Sequence, residues 1–147
     1  MAIRSARIED FAAIRELLTR ADLPVADVSE TSPITFFVFE DDEHLVTGCV
    51  GLGVHGTAGL LRSLAVNPVA RNAGIGHTLL SNVEEAAALQ RIEQLYLLTT
   101  TASDFFVRSG YEVADRGSAP KTIQGTSQFA ELCPASATFM VKTLERR

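Results

Sequence analysis

The sequence lacks several features that direct a chain to particular classes of protein. Its 147 residues contain two cysteines, Cys49 and Cys133, without CxxC spacing, so neither a disulfide framework nor a metal site is expected. The formal net charge is −5 and no Lys/Arg run precedes the terminal Arg146 and Arg147, which argues against a nucleic-acid partner. No window approaches the roughly 20 apolar residues of a membrane span.

The charged opening MAIRSARIED does not resemble a signal peptide, so we expect a cytoplasmic protein under reducing conditions. Cys49 lies in an apolar run and is interpreted as a small buried hydrophobe. The length leaves room for a single domain, residues 1–147, around one core.

Acidic residues are absent from residues 44–83, although this window holds all three histidines, Arg62 and Arg71. Such a window favours an anionic ligand, because no carboxylate opposes its charge. The same absence leaves this window without a carboxylate to act as a general base.

At the centre of this window the pattern predicts a strand, a loop and a helix. Residues 60–66 are apolar enough to form a strand, Asn67-Pro68 interrupts them, and the glycine-bearing RNAGIG (71–76) leads into a helix that opens at His77. The first N–H groups of a helix lack intrahelical partners, so this order predicts an anion site, with Arg71 as a side-chain donor. The loop lacks the third glycine of a dinucleotide fingerprint and the Gly-Lys-Ser/Thr of a Walker loop.

Periodicity along the chain predicts a mixed α/β fold without internal repeats. Predicted strands are Ala2–Arg4, Ile34–Phe39, Leu45–Val54, Leu60–Val66, Leu95–Leu98, Tyr111–Arg116 and Ala137–Leu144. Predicted helices are Asp10–Ala21, His77–Gln90, Thr99–Ser109 and Ser118–Leu132, with residues 25–33 as a loop or a short helix. We expect a mostly antiparallel central sheet flanked by helices, with the Leu60 and Leu95 strands as a parallel pair around the glycine loop.

The stretch LAVNPVARNAGIGHTLL resembles motif A of the GNAT acetyltransferases, and LYLLTTTASDFFVRSGYEV resembles the strand, helix and strand that follow it in that family. The LLTTT…FF…GY run is similar to the acetyltransferase part of N-acetylglutamate synthases, and the tail, with LCPASA, is most similar to arsenic-resistance-associated GNAT proteins. The resemblance implies an acetyl-CoA-dependent N-acetyltransferase acting on the amine of a small molecule, an amino acid or an amino-acid-like toxic compound.

The resemblance also implies residue roles. The pantetheine arm of acetyl-CoA would run along Leu64, Ala65 and Val66, with the Val66 amide facing the thioester oxygen, and would pack on Phe106. The residues expected around the pyrophosphate are Arg71, Asn72, Ala73, Gly74, Ile75, Gly76 and His77, with Thr78 capping from the first helical turn.

The catalytic groups of the family are not all present. Its usual glutamate base has no counterpart, which leaves His55 as the titratable group expected near the cleft. Phe106 occupies the position of the usual tyrosine acid, with Ser103 and Tyr111 as weak substitutes.

Arg62 is expected to share one strand face with Leu60, Leu64 and Val66 and to bind a substrate carboxylate, or to be an exposed strand arginine. Two alternative functions remain: a catalytically idle GNAT-like sensor and a different kind of protein that binds a phosphate ligand. A homodimer formed through the tail strand is also compatible with the sequence.

Overall fold

The computed structural model describes residues 2–23, 25–26, 28–29, 33–68, 74–100, 102–126 and 137–144. Its strands are β1 Ala2–Ser5, β2 Ile34–Glu40, β3 Val46–His55, β4 Ala58–Val66, β5 Gln94–Thr99, β6 Glu112–Val113 and β7 Thr138–Thr143. Its α-helices are α1 Phe11–Arg20, α2 Ile75–Leu89, α3 Ser103–Arg108 and α4 Lys121–Gln124. Short 3-10 turns cover Ile8–Asp10 and Arg116–Ser118.

The strands form one sheet in the order β1-β2-β3-β4-β5-β7-β6. Neighbouring strands from β1 to β4 are antiparallel, as are β5, β7 and β6, and the β4–β5 pair is parallel. This confirms the predicted mostly antiparallel sheet with one parallel pair.

Amphipathic helices cover the two faces of the sheet. The α1 residues Ile14 and Leu18 are fully buried in one hydrophobic cluster, which also contains Val38 and Cys49 and is called the α1 cluster below. The α2 residues Leu79 and Val83 belong to a second, larger cluster, the α2 cluster. Burying each such Leu or Val contributes roughly 1.5–3 kcal/mol, so these clusters fix both helices on the sheet. Cys49 is fully buried as predicted.

Three predicted boundaries are wrong in the second half of the chain. The third helix begins at Ser103 because Thr99 still pairs with Thr138 in the sheet. The strand predicted from Tyr111 pairs only at Glu112–Val113 before the Arg116–Ser118 turn. The helix predicted over Ser118–Leu132 begins at Lys121 and ends at Gln124, where Gly125 is the C-cap; residues 127–136 of that stretch and its surroundings lie outside the described residues.

Among the described residues, no helix has the length and apolar character needed to span a membrane; α2 is the longest, with 15 residues.

Candidate active site

The two central strands separate after a short stretch of pairing. The parallel register joins residues 58–60 to residues 94–96, after which β4 continues beside β3 and β5 continues beside β7. A gap therefore opens between residues 61–66 of β4 and the end of β5.

A bulge in β4 explains why the strands part. Cys49 pairs with Ala65 and Gly51 pairs with Arg62, so one residue of β3 faces two residues of β4. Ser63 lies in this bulge with φ +59°, a left-handed conformation that costs a non-glycine residue about 1–2 kcal/mol. A bulge bends and twists its strand, which directs β4 away from β5.

The bulge also changes which side chains share a face. Leu64 and Val66 pack against the α2 cluster. A Cβ at Gly51 would lie 3.0 Å from the Phe36 ring and 3.3 Å from Cγ of Arg62, which puts Arg62 on the same face as Phe36 of the α1 cluster. The prediction that Arg62 shares a face with Leu64 and Val66 is therefore wrong, because the extra residue interrupts the alternation.

A cavity of about 1120 Å³ lies in the gap. On the α1 side it is lined by residues 21–23, Val25, Ala26 and Arg62. On the α2 side it is lined by Gly74, Gly76, His77, Phe105 and Phe106, and the ends of the two central strands separate these sides. Its size is that of a site for a large ligand together with a smaller one.

The N-terminus of α2 presents main-chain donors to this cavity. The first helical hydrogen bond runs from the Thr78 N–H to the Gly74 carbonyl at 3.1 Å, so the three amides before Thr78 have no intrahelical acceptor. Gly74 precedes them with φ +75°, a conformation that glycine adopts without strain. Such an N-terminus is suited to an anion.

Three residues of the predicted pyrophosphate loop, Arg71, Asn72 and Ala73, lie outside the described residues, as does Cys133. Thr78 donates its hydroxyl hydrogen to the Gly74 carbonyl at 3.0 Å, within the first turn of its own helix. That hydrogen is therefore already used inside the helix.

The main chain of β4 borders the gap near Val66. The Asn67 N–H donates to the Thr47 carbonyl of the β3 side at 2.8 Å. Because successive N–H groups of a strand point to opposite edges, the Val66 N–H is directed to the β5 side, where the gap lies.

Aromatic rings form the α2 side of the cavity. His77 contacts Phe105 with ring centroids 4.7 Å apart, and Phe105 contacts Phe106 edge-to-face at 5.2 Å. Phe106 is 4% exposed and lines the cavity. Phe106 in turn contacts Tyr111 at 5.5 Å.

The two substitutes for the missing tyrosine acid do not line this cavity. The Tyr111 hydroxyl donates to Oε2 of Glu84 at 2.8 Å, and burial raises the pKa of Tyr111 far above its usual range. Among the described residues that line the cavity there is neither Tyr111 nor Ser103.

His55 does not lie where it was predicted. It ends β3 and pairs with Ala58, at the end of the hairpin opposite Val66, and it is absent from the described lining of the cavity. Ala58, which pairs with His55, and Val66 are about 25 Å apart along β4, at about 3.3 Å per residue. The prediction failed because a strand end was assumed to meet the cleft, whereas the gap opens at the other end of the strand pair.

The charged groups of the cavity lie on its α1 side. Arg62 is 3% exposed and its Nε donates to Oγ of Ser63 at 2.9 Å, so it is not the exposed strand arginine of the alternative interpretation. Asp22 is the one carboxylate among the described lining residues. Sequence reasoning missed Asp22, although its position directly after the α1 periodicity was a usable signal. The described residues contain no group of three or more His, Cys, Asp or Glu arranged for a metal ion.

Comparison with known proteins agrees with this architecture. Residues 32–113 match the family model described as the acetyltransferase (GNAT) domain. The chain therefore belongs to the GNAT acetyltransferase family.

The amino-acid acetyltransferase of Pseudomonas syringae pv. syringae is 32% identical over 117 residues, which are 75% of this chain and 27% of that protein. The chain thus spans about a quarter of the length of the curated relatives it matches. An N-acetylglutamate synthase from Neisseria gonorrhoeae, solved with coenzyme A and N-acetyl-glutamate, superposes with a TM-score of 0.82 at 24% identity, over 99% of this chain and 35% of that one. A Mycobacterium tuberculosis protein, Rv2747, solved in complex with CoA, superposes with a TM-score of 0.80 at 22% identity, over 99% of this chain and 100% of that one.

Proposed function

We propose that the protein is an acetyl-CoA-dependent N-acetyltransferase that acetylates the amine of a small, carboxylate-bearing acceptor such as an amino acid. The observation that carries this proposal is the gap between β4 and β5, because it combines an opened strand edge with the N-terminus of α2. The family and the coenzyme A complexes of the related folds support acetyl-CoA as the donor.

In this proposal the donor occupies the α2 side of the cavity. The pyrophosphate binds the unpaired amides of the first α2 turn, where the helix dipole favours negative charge. The pantetheine arm runs along residues 64–66 and packs on Phe105 and Phe106. The Val66 N–H then donates to the thioester oxygen as negative charge develops there.

The acceptor occupies the α1 side, where Arg62 binds its carboxylate. A guanidinium presents two parallel donors to a carboxylate, and the bond from Nε of Arg62 to Oγ of Ser63 orients this guanidinium at the cavity wall. The acceptor nitrogen attacks the thioester carbon through the gap, the C–S bond breaks, and the thiolate leaves without a phenol donor. With a thiol pKa of about 8.5, this leaving group is acceptable near neutral pH.

The amino-acid acetyltransferase relatives support an amino acid as the acceptor. We extend the proposal to amino-acid-like toxic compounds, because the sequence of the tail resembles arsenic-resistance-associated members of the family. This extension is tested by including amino-acid analogues of that kind in the acceptor panel.

The direct test is titration calorimetry with acetyl-CoA, followed by detection of free thiol and N-acetylated product over a panel of amines. We expect acetyl-CoA to bind, an adenosine bisphosphate without pantetheine to bind more weakly, and carboxylate-bearing amines to be the better acceptors. Absence of binding at millimolar acetyl-CoA would exclude the proposal. Equal binding of the nucleotide would favour a phosphate-ligand protein instead.

The alternative is a GNAT-like module that binds acyl-CoA without turnover. The observation that favours it is Phe106 in place of the phenol that the family places there. Binding of acetyl-CoA with no product from any amine of the panel would support this alternative.

A further inference from the structure

We propose that Asp22 accepts the proton of the acceptor amine and that, with Arg62, it selects an acceptor that carries both an amine and a carboxylate. This inference rests on the proposed function and supplies the base that the acid-free window of the sequence lacks.

Asp22 is placed by the end of α1. The Leu23 N–H bonds to the Leu18 carbonyl at 2.9 Å and the Asp22 N–H bonds to the Thr19 carbonyl at 3.1 Å, the two bonds of a Schellman motif. Asp22 itself has φ +58°, at the position where glycine is usual. The chain thus holds a carboxylate, rather than a glycine, at a rigid point on the cavity wall.

The Asp22 carboxylate is available to a ligand. It is exposed and lines the cavity, and it makes no hydrogen bond or ion pair with the part of the chain that the structure describes. The other charged or titratable groups among the described lining residues are Arg62, on the same side of the cavity, and His77, on the α2 side.

Asp22 and Arg62 lie on the same face of the sheet. The neighbours of Asp22, Ala21 and Leu23, pack against the α1 cluster, and Arg62 is directed to that face by the Ser63 bulge. The carboxylate of Asp22 and the guanidinium of Arg62, on one wall of the cavity, complement the ammonium and the carboxylate of an amino acid. The proposal puts the thioester across the gap on the α2 side and the acceptor nitrogen between Asp22 and the carbonyl carbon.

The proton balance of this step is complete. The Asp22 carboxylate takes one proton from the acceptor ammonium, the neutral nitrogen forms a bond to the carbonyl carbon, and the C–S bond breaks to release the CoA thiolate. The second nitrogen proton is lost to water as the amide forms, and the thiolate is protonated by solvent. Asp22 then returns its proton to water.

The test uses Asp22→Asn and Asp22→Gly in the full chain. We expect kcat to fall by about 100-fold or more in both variants, the usual effect of removing a general base, with the KM for acetyl-CoA unchanged. Asp22→Gly removes the left-handed strain and should raise the Tm, so loss of activity in this variant cannot come from unfolding.

Arg91 supplies a matched control. It ends α2 in the same motif, with Arg91 N–H to Ala88 carbonyl and Ile92 N–H to Ala87 carbonyl bonds of 3.0 Å and φ +65°, but it does not line the cavity. Arg91→Gly should raise the Tm and leave kcat unchanged.

Several results would overturn the inference. The inference is wrong if the Asp22 variants keep a kcat within threefold of the wild-type value. It is also wrong if these variants change only the KM for the acceptor. A wild-type protein that binds acetyl-CoA but acetylates no amine would refute the proposed function itself, and the role of Asp22 with it.

Discussion

Replacing Arg62 by lysine should separate recognition of the acceptor carboxylate from recognition of its amine. Arg62 is 3% exposed, lines the α1 side of the cavity and has its Nε held by Ser63 at 2.9 Å, so its guanidinium is fixed in orientation. Lysine keeps the charge but cannot present two parallel donors. A hydrogen bond to a charged group contributes about 1.5–3 kcal/mol. At 1.4 kcal/mol per tenfold change, the acceptor KM should rise by roughly 10- to 150-fold.

The assay compares an amino-acid acceptor with the amine of the same side chain that lacks the carboxylate. Arg62→Lys should raise the KM only for the first compound and leave the KM for acetyl-CoA unchanged. Arg20→Lys is the control, because Arg20 is an exposed α1 residue paired with Glu16 at 2.8 Å, outside the described lining of the cavity. Equal changes for both acceptors, or no change for either, would refute carboxylate binding by Arg62.

Three other predictions follow from particular residues. Gly74→Ala should lower the free energy of unfolding by about 1–2 kcal/mol, measured in urea, because alanine is strained at φ +75° although no atom of the described residues lies within 4 Å of its Cβ; an unchanged midpoint would contradict this. Burial raises the pKa of Cys49 from 9.0 to about 12, so the folded thiol stays neutral while the unfolded thiol ionises; this residue should lower stability by about 1 kcal/mol per pH unit between pH 9 and 12, and Cys49→Ala should remove this contribution and leave that of the buried Tyr111. Phe106→Tyr should raise kcat by less than about tenfold, since the thiolate is already a tolerable leaving group; a hundredfold gain would show that thiolate protonation limits the wild type.

The pattern of apolar residues was sufficient to predict the sheet and the strand-loop-helix around Gly74. Both depend on local rules: alternation in strands, helical periodicity in α1 and α2, and glycine before a helix N-terminus. The tail was predicted less well, because Gly125 caps α4 after one turn, whereas the prediction placed this glycine within a longer helix.

The acceptor side of the cavity could not be predicted in the same way. The face of Arg62 depends on a bulge at Ser63, and no glycine marks that left-handed residue in the sequence. Asp22 lies about 40 residues from Arg62 along the chain, and only the packing of α1 against the sheet brings both to one wall. Such pairs arise from tertiary contacts, which periodicity does not encode.

The central claim is that acetyl-CoA binds in the gap with its pyrophosphate at the N-terminus of α2. The most direct measurement is a ¹H–¹⁵N titration of the labelled protein with acetyl-CoA. The account predicts that the largest amide shifts belong to Ile75, Gly76, His77 and, beside the thioester, Val66. Large shifts confined to other parts of the chain, with these four amides unmoved at saturation, would contradict it.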